Sequence, residues 1–532
     1  MSSAFPLHRA TAPLKERPFD LLVIGGGIYG AWTAYDAAQR GLSVALIEKD
    51  DFACGTSSAS SKLIHGGLRY LEHYDFGLVR GALAERRTLH HLAPHLVRPL
   101  MFAMPVWKGP RASMFTLSAG LTLYDLMAGF DSPVPRHRRF DRDTLLQKFP
   151  YVDPDRLLGG FSYGDCQEDD ARMTLVVVAA AHGAGAVVAN RLEALELLKD
   201  ADRVVGARVR DHVSEETFEI RAKLTVNAAG PWAPQLCGDA SPLVKRVKGI
   251  HIVLPAIPGC DHAFLLTAKD GRVFFVIPWY GRTLIGTTEQ EVGPDDRIVA
   301  TDAEVHYLLA GVTNALPGLP WTDADVISRF AGVRTLQAED AHNLAAVTRE
   351  FMVAAPAPGL LMPLGGKFTT ARVDAAEIVD LAHKHLQRPV TPCLTGRRPL
   401  PGTQTSEPFE RWQTAVIPLL KQHGLDEAAA RALSLRHGTG VGRIAELIQE
   451  DPRWAARIHP QTDLILAEMV LAVRDEMALS LADVVRRRLP LSLLVNMDGA
   501  LIKKLADFLA PLLQCDSFEV NAAFSRQEQT TP

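Results

Sequence analysis

A glycine-rich stretch near the start of the chain, residues 21–30, limits the fold more than any other feature. It reads LLVIGGGIYG. Its first four residues are apolar, which predicts a short buried strand, and glycines then follow with the spacing G-x-G-x-x-G. Such a turn needs glycine because it is tight and because a pyrophosphate must approach bare backbone. The glycines that we expect to hold a dinucleotide are Gly25, Gly27 and Gly30.

A helix and a second strand are predicted directly after this turn. Small alanines in residues 28–40 allow a helix to lie close to a sheet, and its N-terminus would direct N–H groups at phosphates. Residues 43–48, SVALIE, then form an apolar strand that ends in Glu48, 18 residues after Gly30. An acid at this distance suits the hydroxyls of an adenosine ribose. Together these features predict a dinucleotide site, and the alternative is a structural βαβ turn.

Length and composition exclude several classes of protein. A chain of 532 residues is too long for one ordinary domain, and 47% hydrophobic with 22% charged residues is typical of a globular protein. The net charge of −4 gives no overall basic field, so no nucleic-acid partner is expected. The six cysteines form no C-x-x-C pair, which indicates a reducing compartment and no metal site. Residues 1–18 lack a signal-peptide core, and no apolar stretch is long enough to span a bilayer.

The segment after the second strand, residues 50–72, is dense in Ser, Thr and Gly. It reads DDFACGTSSASSKLIHGGLRYLE. Hydroxyls and accessible backbone beside a dinucleotide turn suit a pyrophosphate and a flat ring, whereas the alternative is an ordinary polar loop. The cofactor ligands that we expect here are Thr56, Ser57, Ser58, Ser61 and Lys62.

Longer motifs carry a family resemblance. They are TSSASSKLIHGGLRYLEHYDF (56–76), KGIHIVLP (248–255), FVIPWYGRTLIGTTE (275–289), FAGVRTL (330–336), VTREF (347–351) and GGKFTT (365–370). In this order, over nearly the whole chain, they resemble the FAD-dependent glycerol-3-phosphate dehydrogenases of the aerobic, quinone-linked type. The first motif is specific to this enzyme type among flavoproteins that oxidise amines and hydroxyls.

The resemblance and the chain pattern together imply an α/β fold with α+β elements. A Rossmann-like FAD-binding domain would comprise residues 18–90, 155–243 and 335–395. An antiparallel-sheet substrate domain, or cap, would comprise residues 91–154 and 244–334, where strand-like runs alternate with turns. A proline-rich segment then leads into residues 396–532, where helix-spaced apolar residues predict a separate helical domain.

The resemblance also implies the reaction: FAD would take a hydride from sn-glycerol 3-phosphate, and the product would be dihydroxyacetone phosphate. A dianionic phosphate needs fixed cationic donors. The candidates in the matching motifs are Arg69, Arg334, Arg349 and Lys367. Each of them alone could equally be a surface or packing charge.

Further residues of these motifs could act on the substrate hydroxyls or at the flavin. His251 could take the hydroxyl proton, although a core histidine is the alternative and an arginine-linked water is another candidate base. Hydroxyls that could orient the substrate belong to Tyr70, Thr287 and Thr288. By the same resemblance, further FAD contacts fall on Ala229, Gly230, Gly366, Lys367 and Thr369.

A nearly uncharged stretch, residues 114–130, has two interpretations. It reads MFTLSAGLTLYDLMAGF and has basic residues on both sides. It could be a buried helix, or a monotopic helix that dips into a membrane surface. With the resemblance, the second interpretation predicts a cytoplasmic enzyme held peripherally at the inner face of the cytoplasmic membrane, with a quinone as electron acceptor. A homodimer is one option for its assembly.

Three alternatives remain open at this point. The same substrate could be oxidised with oxygen as the acceptor. An amino-acid or sarcosine-type oxidase shares the fold class but would bind a carboxylate with one arginine. A non-enzymatic flavin-binding scaffold would have no use for the clustered basic motifs.

Overall fold

The computed structural model describes residues 6–109, 113–238, 244–293, 295–337, 351–403, 407–517 and 519–520, and of residues 69, 72, 73 and 337 it describes the backbone alone. Two sheets organise this part of the chain. The strands, in chain order, are β1 (Phe19–Ile24), β2 (Val44–Ile47), β3 (Leu63–Ile64), β4 (Arg98–Trp107), β5 (Arg138–Asp141), β6 (Leu157–Gln167), β7 (Val187–Ala189), β8 (Leu192–Asp200), β9 (Arg203–Asp211), β10 (Thr217–Asn227), β11 (Val244–Pro255), β12 (Ala263–Thr267), β13 (Val273–Trp279), β14 (Arg282–Gly286), β15 (Gln290–Val292), β16 (Ser328–Gln337), β17 (Met352–Ala357) and β18 (Leu360–Leu364).

Helices pack against both sheets and fill the last part of the chain. In chain order they are α1 (Ala12–Glu16), α2 (Ile28–Gln39), α3 (Phe76–Leu92), α4 (Met114–Ala128), α5 (Arg142–Lys148), α6 (Asp170–Gly183), α7 (Ala233–Cys237), α8 (Asp302–Ala315), α9 (Ala371–His385), α10 (Phe409–Lys421), α11 (Glu427–His437), α12 (Val441–Glu450), α13 (Leu466–Asp475), α14 (Leu491–Leu494) and α15 (Gly499–Leu513).

The first sheet is the predicted nucleotide-binding sheet. Its strand order is β17–β18–β10–β1–β2–β7, and β18, β10, β1, β2 and β7 run parallel. The strands β1 and β2 are buried along their whole length, as expected for a parallel sheet in an α/β fold. The alanines Ala31 and Ala34 of α2 are wholly buried, which allows close packing of this helix. This arrangement confirms the predicted Rossmann-like domain.

The second sheet is mostly antiparallel and forms the substrate side of the molecule. Its order is β15–β11–β14–β13–β12–β4–β6–β3, with β16 paired to β11 and β5 paired to β6. The strands β3 and β6, which lie in ranges predicted for the nucleotide domain, hydrogen-bond within this second sheet. The strand β16 also continues across the boundary predicted at residues 334 and 335.

The helices α10 to α15 form the predicted C-terminal helical domain. Its core contains wholly buried apolar side chains such as Leu433, Ile444 and Leu447. Buried ion pairs connect this domain to the nucleotide domain. Arg172 of α6 contacts Glu476 at 2.5 Å, and Arg487 and Arg488 both contact Asp51. A buried pair holds its position strongly, since removal of either partner leaves an uncompensated charge.

The apolar stretch 114–130 is a helix that is only half covered. In α4, Leu121 and Tyr124 are buried, whereas Phe115 is 83% and Leu126 69% exposed. Phe130, just beyond the helix, is 96% exposed. The exposure of these apolar side chains differs from the first predicted interpretation, a buried helix. Throughout the described ranges, each helix is either too short or too polar to cross a membrane.

Candidate active site

A cavity of about 590 Å³, called the main cavity below, lies between the glycine turn after β1 and the second sheet. Parallel α/β sheets commonly bind ligands at the carboxyl ends of their strands, and this cavity begins there. Most of the predicted site residues line it: Gly25, Gly27, Glu48, Thr56, Ser57, Ser61, Tyr70, Ala229, Gly230, His251, Thr287, Arg334, Gly366, Lys367 and Thr369.

The glycine wall of the main cavity, defined by Gly25, Gly27, Glu48 and Ser57, has no room for larger residues at its turn. Gly25 has φ +108°, and a Cβ there would lie 2.6 Å from the carbonyl oxygen of Ala228. A Cβ on Gly27 would lie 3.0 Å from Ser57 Oγ, which already accepts a hydrogen bond from the Ile28 N–H at 2.9 Å. The backbone is therefore bare where the helix α2 begins, as a pyrophosphate requires.

Glu48 ends β2 with its carboxylate held by backbone. Its Oε2 accepts a hydrogen bond from Gly26 N–H at 2.7 Å, and its Oε1 accepts one from Asp50 N–H at 3.0 Å. Burial raises the pKa of this carboxyl above its ordinary value, while the bond from Gly26 acts in the opposite direction. Fixed carboxylate oxygens that face the cavity can accept hydrogen bonds from ribose hydroxyls. The glycine wall thus fits the adenosine and pyrophosphate of FAD.

An aromatic side chain completes this wall, and the sequence analysis did not identify it. Trp232 lines the main cavity, and Lys49 Nζ lies 4.5 Å from its ring centroid. The only signal in the sequence was the position of Trp232 directly after the predicted Ala229 and Gly230.

Four predicted site residues lie outside the cavity lining. A Cβ on Gly30 would lie 1.9 Å from the carbonyl oxygen of Gly25, so this glycine allows α2 to pack on the turn. Ser58 is buried, and its Oγ donates to the carbonyl of Gly55 at 3.4 Å. Both residues thus contact backbone carbonyls of residues that line the cavity.

The other two have buried ionic or hydrogen-bond partners. Lys62 forms an ion pair with Asp170 at 2.5 Å. Thr288 Oγ1 donates to Glu304 at 3.1 Å, on the side of the sheet where α8 lies. Of the remaining predicted residues, the side chain of Arg69 and the whole of Arg349 lie outside the described residues.

The cationic wall of the main cavity is defined by His251, Thr287, Arg334 and Lys367. His251 lies in β11 and Arg334 in β16, while Thr287 directly follows β14; these three elements are neighbours, because β14 and β16 both pair with β11. Arg334 donates to Thr287 Oγ1 at 3.3 Å and to Glu289 Oε1 at 3.4 Å. These contacts orient the guanidinium at the wall of the cavity, which Thr287 and Glu289 also line.

His251 is buried at this wall in a neutral form. Its Nε2 lies 2.9 Å from Ser61 Oγ, and its ring stacks on Phe330 with centroids 5.1 Å apart. Burial lowers the pKa of His251 well below 6.5, and the charges of Arg334 and Lys62 lower it further. A neutral imidazole beside fixed cations can accept a proton at neutral pH.

Lys367 follows a double-glycine turn that leads into α9. Its Nζ lies 3.7 Å from the ring centroid of Tyr70, which also lines the cavity. A Cβ on Gly366 would lie 1.7 Å from Tyr29 Oη, so only glycine fits there. Tyr29 in turn donates to Asp374 at 2.6 Å, and burial raises the pKa of Asp374 to about 6. The position of Lys367 is therefore set by a turn that packs against Tyr29.

Taken together, the two walls can hold a dinucleotide and an anion in one cavity. The glycine wall supplies bare N–H groups, and the cationic wall supplies a guanidinium, an ammonium and a neutral imidazole. Within the described ranges, no three His, Cys, Asp or Glu side chains are grouped as a metal ion requires. The arrangement suits oxidation of a phosphorylated alcohol, because a phosphate would need the cations and a hydroxyl would need the base.

Two family models match the chain. The model described as FAD dependent oxidoreductase matches residues 20–372, and the model described as C-terminal domain of alpha-glycerophosphate oxidase matches residues 393–519. The first match ends at the start of α9, and the second begins in the proline-rich segment before α10.

Known proteins are similar over nearly the whole length. A glycerol-3-phosphate dehydrogenase from Synechocystis is 36% identical over 507 residues, which cover 91% of this chain and 90% of the relative. Glycerol-3-phosphate dehydrogenase 2 from Mycobacterium tuberculosis is 37% identical over 521 residues, covering 96% of this chain and 87% of the relative. The crystal structure of a glycerol-3-phosphate dehydrogenase from Bacillus halodurans, complexed with FAD, is 28% identical with a TM-score of 0.78 and covers 98% of this chain and 95% of that one.

Proposed function

The chain belongs to the FAD-dependent oxidoreductases, in the glycerol-3-phosphate dehydrogenase family, and on this premise we propose that it oxidises sn-glycerol 3-phosphate to dihydroxyacetone phosphate and passes the electrons to a quinone. FAD is its cofactor. The observation that carries the proposal is that the glycine wall and the cationic wall line the same cavity. A wall that fits FAD adjoins a wall that combines Arg334, Lys367 and a neutral His251.

The cations of the second wall would hold the substrate phosphate. Arg334 has a planar fork that matches two phosphate oxygens, whereas Lys367 supplies a point charge. Arg334 is placed for this contact by β16, beside Thr287 and Glu289 at the wall of the main cavity. Arg349 and Arg69 remain candidates from the sequence.

His251 would take the proton of the C2 hydroxyl. Its neutral state at pH 7 leaves a lone pair, and Ser61, at 2.9 Å, fixes the ring and can relay the proton. When bound, the flavin supplies the acceptor for the hydride that leaves C2. Loss of a hydride from carbon and a proton from oxygen leaves the C2 carbonyl, so atoms and electrons balance. Thr287 and Tyr70 flank the same space and would orient the remaining hydroxyl.

Anaerobic reduction of the bound flavin tests the substrate. We expect glycerol 3-phosphate to bleach the yellow absorbance, while glycerol and sarcosine leave it unchanged at equal concentration. Bleaching by sarcosine alone would instead favour the amino-acid oxidase alternative. No bleaching by any of the three would favour the scaffold.

The quinone and membrane part of the proposal rests on the half-covered helix α4. Its exposed Phe115 and Leu126, together with Phe130, form an apolar surface, and Arg136 lies over the Phe130 ring at 5.9 Å. Apolar side chains surrounded by cations suit insertion into an anionic membrane interface. Other exposed basic residues that flank this segment in the sequence are Lys108, Arg138, Arg139 and Arg142.

Co-sedimentation with vesicles tests this surface. We expect the protein to bind vesicles that contain an anionic lipid and Phe115→Ser/Leu126→Ser to bind them much more weakly. The matched control is Leu419→Ser, because Leu419 is an exposed leucine on α10, outside the surface. Equal binding by all three proteins would remove the membrane proposal.

The acceptor has its own test. Turnover with a soluble quinone analogue under nitrogen is expected to exceed turnover with oxygen alone. The reverse result, with peroxide formed in step with substrate oxidation, would identify an oxidase.

A further inference from the structure

A second cavity lies between the second sheet and the helical domain. It has a volume of about 490 Å³ and shares no lining residue with the main cavity. The ends of β4, β13 and β14 form one side of it, and residues from α11 and from the segment before α13 form the other. Neither the glycine turn nor the cationic wall takes part, so the reaction proposed above makes no use of this space.

Arg98 opens into the second cavity without a partner. Within the described part of the chain, its guanidinium makes no hydrogen bond or ion pair, and its Nε is buried. A buried donor without an acceptor costs free energy, and a buried cation without an anion costs more. Burial accordingly lowers the pKa of Arg98, and the nearby positive charge of Arg436 adds to this. A bound anion would remove both costs.

A second arginine of this cavity also lacks a carboxylate. Arg282 donates to the carbonyls of Leu494 at 2.9 Å and Gly281 at 3.2 Å, and to the side-chain oxygen of Gln461 at 3.3 Å. These acceptors are neutral, and no described Asp or Glu lies within ion-pair distance of this guanidinium. Its charge is therefore oriented but uncompensated.

Other charged side chains of the cavity have ionic or hydrogen-bond partners. Arg436 binds Glu468 through two bonds of 2.7 and 2.8 Å, and Asp463 contacts Arg457 at 2.6 Å. Asp261 contacts His262 at 2.5 Å. Of the carboxylates that line the cavity, Asp169 is the one whose charge acts on Arg98.

That carboxylate, Asp169, accepts from the hydroxyl of Tyr280 at 2.8 Å and from the N–H of Arg172 at 3.1 Å, both neutral donors. It offsets part of the charge of Arg98. Within the described residues, Asp169 forms no ion pair with the guanidinium of Arg98 or of Arg282, so both guanidinium groups keep donors for an oxyanion.

The cavity also has an apolar side. Trp279, Leu464 and Leu494 line it and are themselves buried. A pocket with apolar walls and a few fixed polar groups is typical of sites for small organic ligands, and guanidinium forks match phosphate or carboxylate oxygens.

We propose that the second cavity binds an organic phosphate, with the phosphate on Arg98 and Arg282 and the organic part against Trp279. This site is distinct from the proposed substrate site, because the two cavities share no lining residue. The proposal does not depend on the identity of the substrate, so it stands or falls separately from the function proposed above.

Binding of phenyl phosphate to the FAD-loaded protein tests the proposal. We expect the parent to bind two molecules per chain, one in each cavity, and Arg98→Gln to lose one with at least about tenfold weaker binding at that site. Arg334→Gln is expected to lose the other, and Arg474→Gln, which removes an exposed arginine of α13 paired with Glu450, to retain both. A single molecule per chain that only Arg334→Gln removes would overturn the proposal, as would two molecules in Arg98→Gln.

Thermal unfolding provides the second readout. Because Arg98 has no partner to lose, Arg98→Met is expected to unfold at a temperature no lower than that of the parent in phosphate-free buffer. Phenyl phosphate is expected to raise the unfolding temperature of Arg334→Gln but not of Arg98→Met/Arg334→Gln. Equal stabilisation of these two proteins would contradict the site. Inorganic phosphate as a second probe separates the headgroup from the ring, and we expect it to bind more weakly.

Discussion

The glycine wall and the cationic wall of the main cavity are assembled in different ways. The residues that define the glycine wall lie between Gly25 and Ser57, on a turn, a strand end and the loop that follows. The cationic wall gathers His251, Arg334 and Lys367 from separate strands and a distant turn. Local assembly makes the first wall depend on backbone shape, whereas the second depends on how strands pair. Substitutions in the two walls are therefore expected to have different effects on the protein.

The largest effect is expected from Gly30→Ala. A methyl group at this position would meet the carbonyl of Gly25 at 1.9 Å, so α2 could not close on the turn. We expect the variant to purify without flavin. The matched control is Gly442→Ala in α12, where a Cβ would meet no atom within 4 Å. A yellow Gly30→Ala protein with a full flavin content would contradict the role of the turn.

The next effect is expected from His251→Asn, which removes the base but leaves the flavin bound. Loss of a positioned base typically slows proton transfer by about 10²- to 10⁴-fold. In the parent, the lowered pKa of His251 keeps the ring neutral, so the rate of flavin reduction is expected to stay level from about pH 8 to about pH 6 and to fall only at lower pH. The rate in His251→Asn is expected to lack that acid limb. An unchanged rate would place the base elsewhere, as with an arginine-linked water.

A third prediction concerns the support of the glycine wall. Asp51, in the loop after β2, is wholly buried and accepts from Arg487 Nε and Arg488 Nη1, both at 2.6 Å. These arginines belong to the helical domain, which therefore holds the loop that lines the cofactor side. Arg488→Met would leave the charge of Asp51 partly uncompensated and is expected to lower the free energy of unfolding by about 3–5 kcal/mol.

Urea unfolding followed by flavin release measures this effect. The control is Arg474→Met, because that arginine forms an exposed pair with Glu450 whose loss is expected to cost at most about 1 kcal/mol. Equal urea midpoints for the two variants would show that the helical domain does not hold the loop.

The sequence predicted the glycine wall and the fold class because their signals are local. Strand, glycine spacing and terminal acid lie within one βαβ unit, and the structure confirms the Rossmann-like sheet that this unit predicts. The support of that wall was not predictable. Lys62 was expected to bind the cofactor, but its partner Asp170 lies more than a hundred residues along the chain. No local pattern reveals such a contact.

The cationic wall shows a second limit of sequence reasoning. Thr287 and Thr288 were both expected to orient the substrate, yet the structure turns these neighbouring side chains to different places. Thr287 faces the cavity, while Thr288 turns towards Glu304. The resemblance located the motif but did not indicate which of its side chains faces the cavity. The unpaired Arg98 had no signal at all, because its place in the second cavity depends on the packing of two domains.

The most direct test of the account compares the two walls in a single variant, Arg334→Ala. The dependence of the anaerobic flavin-reduction rate on the glycerol 3-phosphate concentration gives the dissociation constant, and the absorbance before mixing gives the flavin content of the same sample. The account predicts a full flavin content and a dissociation constant raised about 100-fold, which corresponds to a lost charge-assisted contact of about 3 kcal/mol. Arg329→Ala, on the same strand but paired with the exposed Asp302, is expected to match the parent. An unchanged dissociation constant in Arg334→Ala, or loss of the flavin with it, would contradict the account.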